Sequence, residues 1–164
     1  MPTPETKGPD GKRRLPLLPK VEVGDEGDED RPPWHWSAIG VAAIFLLWLP
    51  LAALINAALA RLAPAADPAT VPRSTQALLV GGNLLGFALA CLGGGLLVGR
   101  FGAKAGPREA MVSGAAAATL AWILGVTGAH AGPAIAALLL LLLAAVGAGA
   151  ARLGGALGVR ARKP

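Results

Sequence analysis

From Trp34 onward the polar residues of the chain collect in three short breaks, leaving four apolar stretches at about 34–59, 75–98, 109–126 and 133–151. Even the shortest, at about 27 Å for a rise of 1.5 Å per residue, approaches the thickness of a hydrocarbon core of about 30 Å. Runs such as AIAALLLLLLAAVGAGAA lack the apolar/polar alternation of a barrel strand. In lipid, a segment that is not part of a closed barrel must satisfy its own backbone amides, which leaves the helix. The pattern predicts an all-α membrane protein with four transmembrane helices. Pro50, in the middle of the first stretch, removes one backbone bond to Leu46, so a kink is expected there.

The first 33 residues are rich in Pro, Gly and charge. They hold too little apolar material to offset the entropy of ordering, so a disordered, charged cytoplasmic tail is expected over 1–33. A four-helix transmembrane domain follows over 34–159, with a basic C-terminal tail at 160–164. Near Met1 there is no apolar core followed by a small-residue cleavage site, so the first membrane helix is expected to be its own insertion signal.

Composition agrees with the pattern: 54% of residues are hydrophobic, 15% charged, and the mean hydropathy is +0.55. Charge adds an orientation. The tail carries net −2 and the remainder net +7. With the N-terminus inside, thirteen of fifteen bases fall on the cytoplasmic side, among them Arg100, Lys104 and Arg108 of the second loop, which set the topology. Only Arg61 and Arg73 fall outside. Trp34 and Trp36 mark the inner interface. Both termini are therefore expected in the cytoplasm of a multi-pass protein of the inner membrane. The pI of about 10.2 comes from bases at the ends of apolar runs rather than from a basic stripe interleaved with aromatics, so no nucleic-acid partner is expected. An Arg-over-Lys bias, with abundant Ala, Gly and Leu, points to a bacterial source.

Small residues recur four apart on the second stretch at Gly82, Gly86, Ala90 and Gly94, with a second row at Gly95 and Gly99. The third stretch offers Gly114 and Ala118 beside Ala110, and the fourth offers Ala144, Ala148, Ala150, Gly154 and Gly158. Lipid tails are as apolar as leucine, so helices associate in a membrane through close backbone approach, which such glycine-zipper stripes permit. A Gly/Ala-packed bundle is the expectation, with self-association through a leftover stripe as its rival. Asn83 is the polar group at depth, on the face of Gly86 and Ala90. It is read either as one interhelical hydrogen bond or as the lining of a path.

The stretch GGLLVGRF, from Gly94 to Phe101, has Walker-A glycine spacing, but Arg100 stands where Lys is needed and Phe101 where Ser or Thr would hold magnesium. GLLVGRFGAK, from Gly95 to Lys104, resembles the loop between helices two and three of major facilitator transporters through Gly95, Leu97, Arg100, Gly102 and Lys104. Gly99 replaces that family's gating acid. A tight basic turn is implied, with glycines for close approach and φ > 0. LLVGGNLLGFALACLG is similar to the second helix of the small four-helix fluoride channels in placing an Asn three residues before a Gly. In layout, and in Gly94, Gly95, Gly99, Arg100 and Gly102, the chain resembles uncharacterised small four-helix bacterial membrane proteins with a central GG…GRxG turn.

The absences narrow the chemistry. No ionisable side chain lies deep in a span, whereas proton relays and coupled transporters place one there. His35 and His130 fall at opposite membrane faces and cannot share a metal, and no nucleophile–base pair is evident. The lone Cys91 lies in an apolar run as a small hydrophobe. The acidic run Gly24 to Asp30 lacks the ligand spacing of a calcium loop. The reading is a structural or accessory subunit without catalytic residues, cofactor or metal. Its partners are the lipid bilayer, a homo-oligomer or membrane complex, and a cytoplasmic protein at the N-terminal tail. The alternative is a passive channel or transporter component with Asn83 and the glycine face of helix two lining a path.

Overall fold

The computed structural model describes residues 34–62, 72–102, 104–126 and 132–162. The expected tail at 1–33, the Pro-rich loop after Leu62 and the turn holding His130 lie outside the described residues. The described chain is all-helical, with α1 (Trp34–Leu62), α2 (Arg73–Phe101), α3 (Pro107–Val126) and α4 (Pro133–Arg160). Helices α1, α2 and α4 are long and apolar enough to cross a membrane. Helix α3 is twenty residues long and opens with Arg108 and Glu109.

Local chemistry sets the helix starts. Pro107 and Pro133 each open a helix, where a missing N–H costs nothing. Glu109 folds back so that its Oε2 accepts the Gly106 N–H at 2.7 Å, one half of a capping box. Helix α1 runs through Pro50 without interruption. Helix α4 continues well past the expected end near 151: Arg152 lies within it, and Arg160, placed by sequence in a tail, is its last residue. The reason is tertiary, because Gly154 and Gly158 are buried against α2 and Gly155 against the start of α3, which holds the last two turns in place.

Inter-helix register gives an up-down-up-down bundle. Gly40 and Ile44 of α1 meet Gly94 of α2, while Leu51 and Ile55 meet Gly86, so α1 and α2 are antiparallel. On α3, Ala110 lies by Gly155 and Gly114 by Gly147, antiparallel to α4. Helices α2 and α4 are parallel, Leu92 facing Gly154 and Leu96 facing Gly158. Large side chains point outward: Leu46 is 75% exposed and Val80 69%, whereas Ala110, Ala117, Ala118 and Ala151 are fully covered. Small residues inside and leucines outside invert the usual arrangement of a protein in water and suit an apolar solvent. The main core gathers Ile44, Phe87, Cys91, Ala90, Ala117, Ala118 and Ala151; a second cluster, Val98, Ala105 and Ala110 under Trp36, closes the end where α1 begins.

The turn between α2 and α3 departs from one expectation. Gly102 has φ −74° and ψ 103°, and no described glycine has positive φ. Glycine is needed there for space alone, since a Cβ would stand 2.6 Å from Ala105 Cβ and 2.7 Å from Val98 O.

Candidate functional site

Asn83 is half-buried on α2, and its Nδ2 donates to Asn56 Oδ1 of α1 at 3.1 Å and to Leu79 O at 2.9 Å. Asn56 of α1 is thus the partner of the polar group that sequence singled out. An amide pair in lipid keeps two polar groups satisfied and holds two helices in one register. A double-mutant cycle of Asn56→Leu and Asn83→Leu, read by unfolding in detergent, is expected to give a coupling of about 0.6–2 kcal/mol. Additive single effects would show that the pair contributes nothing.

Beside this pair lies a groove of about 350 Å³ between α1, α2 and α4, lined by Trp48, Leu79, Asn83, Phe87, Leu139 and Leu143 among others. Trp48 stands edge-on to Phe45, at 5.7 Å between ring centroids, and to Phe87, at 5.4 Å. Its indole N–H is buried with no acceptor among the described residues. An orphaned donor of this kind costs about 1–3 kcal/mol. Trp122 donates its indole N–H to Ala136 O at 2.8 Å and ties α3 to the start of α4.

The predicted small-residue stripes divide between different neighbours. Gly82, Gly86 and Gly94 turn toward Ile55, Leu51 and Ile44 of α1, and a Cβ on Gly94 would stand 2.5 Å from Ile44 Cγ1. The second row, Gly95 and Gly99, meets the backbone of Ala151 and Gly155 on α4 instead. Gly114 abuts Gly147 O, and Ala118 Cβ lies 3.3 Å from the place a Gly147 Cβ would take. Ala90 is buried in the main core. Gly147, Ala151 and Gly155 belong to these seams and escaped the sequence reading, which followed the row through Ala144, Ala148 and Ala150. They are themselves four apart, on a row offset from the one that reading followed, so only a known partner face reveals which row is used.

At the end where α1 begins, Arg100, Lys104 and Arg108 are all exposed. The Arg100 guanidinium lies 5.8 Å from the Phe101 ring centroid. Lys104 and Arg108 border one cleft, which Arg100 does not line. Gly40 and the fully buried Ser113, neither singled out from sequence, join α1 to α3 here. Ser113 Oγ lies 2.8 Å from Glu109 O and 3.0 Å from Ser37 O, and one hydroxyl proton serves either. His35 stacks on Trp34 at 3.9 Å. Arg162, assigned by sequence to a tail, caps α2: its Nε donates to Arg100 O at 2.9 Å, and its Nη2 reaches Val98 O, Gly102 O and Ala105 O. Among the described residues no three His, Cys, Asp or Glu side chains group as metal ligands would. No protein-family model, curated protein or solved structure matches the chain.

Proposed function

We propose that the chain is a multi-pass protein of the bacterial inner membrane, a Gly/Ala-packed four-helix bundle with both termini cytoplasmic, that serves as a structural or accessory subunit. The observation that carries the reading is where the polar groups of the bundle go. Asn83 bonds Asn56, Ser113 bonds the backbone of α1 and α3, and Trp122 bonds α4. Each of these side chains is used to join helices. Orientation is supported by the described bases: Arg100, Lys104, Arg108, Arg152, Arg160 and Arg162 belong to the end where α1 begins, Arg61 and Arg73 to the other.

Co-purification of the full chain in mild detergent tests the role. A second, different polypeptide retained in fixed ratio is expected, and a solitary monomer at every detergent concentration would overturn it. Residues 1–33 alone retaining a cytoplasmic protein would move the partner contact to the tail. Reporter fusions at the C-terminus are expected to read as cytoplasmic.

A second reading has one observation in its favour. Asn83 and the unpaired Trp48 N–H border the same groove. A passive channel or transporter component would use that wall as part of a path. Liposomes holding the purified chain would then pass ions or small solutes, and Asn83→Leu would abolish the flux. No flux above empty liposomes removes this reading.

A further inference from the structure

A cleft of about 560 Å³ opens between the turn after α2, the first residues of α3 and the flank of α4. Three cations from these three elements border it: Lys104, Arg108 and Arg152. The one carboxylate in the wall, Glu109, is engaged by the Gly106 N–H. We infer that this cleft binds the phosphate headgroup of an anionic phospholipid, with the acyl chains lying along the outer face of α3 and α4. The inference rests on the membrane reading above.

Arg152 makes the case for a lipid rather than a free anion. It stands eight residues before the end of α4 at Arg160, about 12 Å below that end at 1.5 Å per residue. It is exposed, and no acid among the described residues pairs with it. An arginine at that depth on a lipid-facing helix must snorkel to the interface or meet an anion there. The cleft it borders lies toward the basic end of the bundle. Apolar surface adjoins the cations: Met111 in the wall is 38% exposed, and Leu153, next to Arg152, is 63% exposed. A free phosphate has no use for that surface. Three cations from three elements around one cleft match a headgroup with two phosphodiesters better than one. Basic pockets between helices at the cytoplasmic side are a recognised setting for such headgroups.

The test uses the full chain in detergent, titrated with a diphosphatidyl lipid, a monoanionic phosphatidylglycerol and a zwitterionic phosphatidylcholine, and followed by native mass spectrometry. Retention of the diphosphatidyl lipid is expected to exceed that of phosphatidylcholine at least tenfold, with phosphatidylglycerol between them. Arg108→Gln combined with Arg152→Gln is expected to remove the preference, while Arg61→Gln at the opposite end leaves it intact. Equal retention of all three lipids, or an unchanged preference in the double variant, overturns the proposal. So does displacement of the lipid by millimolar inorganic phosphate, which would assign the cleft to a free anion. Insertion of the chain into purely zwitterionic vesicles tests the membrane reading separately. Insertion without lipid preference sinks the cleft alone, and failure to insert sinks the membrane reading itself.

Discussion

Replacing Gly154 by leucine is expected to abolish the folded bundle, whereas the same replacement at Gly149, on the same helix, is expected to be tolerated. A Cβ at Gly154 would run into Leu92 O and stand 2.9 Å from Leu96 N, both backbone atoms of α2. Nothing lies within 4 Å of a Cβ at Gly149. Overpacking against side chains costs about 1–3 kcal/mol because rotamers can shift. Backbone cannot shift without parting two helices, so the cost at Gly154 should exceed that range. Intrinsic helix propensity favours leucine over glycine by up to about 1 kcal/mol at both sites alike, and therefore cancels in the comparison. Thermal unfolding in detergent, with size-exclusion profiles of both variants, measures it. Equal behaviour of the two variants would mean that α2 and α4 do not approach in this way.

Arg162→Ala is expected to lower stability by about 1.5–3 kcal/mol, the range for hydrogen bonds to a charged group. The guanidinium serves carbonyls of the last turn of α2 and of the turn that follows: Val98, Arg100, Gly102 and Ala105. The Val98 and Arg100 carbonyls belong to the negative end of α2, where a cation is favourable. Arg162→Lys keeps the charge but lacks the planar fork, so it should restore less than half of the loss. Protease sensitivity of the chain between Phe101 and Pro107 should rise in the same order, arginine below lysine below alanine. Unchanged stability and sensitivity in Arg162→Ala would show that the last residues of the chain do not hold this turn.

The helices were legible in sequence because long apolar runs without apolar/polar alternation favour the helix, and 75–98 and 109–126 anticipate α2 and α3 to within three residues. The end of α4 was not legible, since Arg152 marks where apolar character stops while the helix persists on contacts made by Gly154, Gly155 and Gly158. Asn83 stood out from sequence through its depth. Asn56 did not, because its importance comes from the register of α1 against α2.

Sequence by itself determined that the described chain is helical and where each helix lies. Both follow from properties that each segment carries alone: apolar length and backbone self-satisfaction. Only the tertiary structure decided which row of glycines meets which helix. Gly86 and Gly94 receive side chains of α1, and Gly95 and Gly99 receive the backbone of α4. It also drew Arg162 onto α2, and Lys104, Arg108 and Arg152 around one cleft. These are relations between segments far apart in sequence, set by the mutual register and crossing of helices, which no single apolar run encodes.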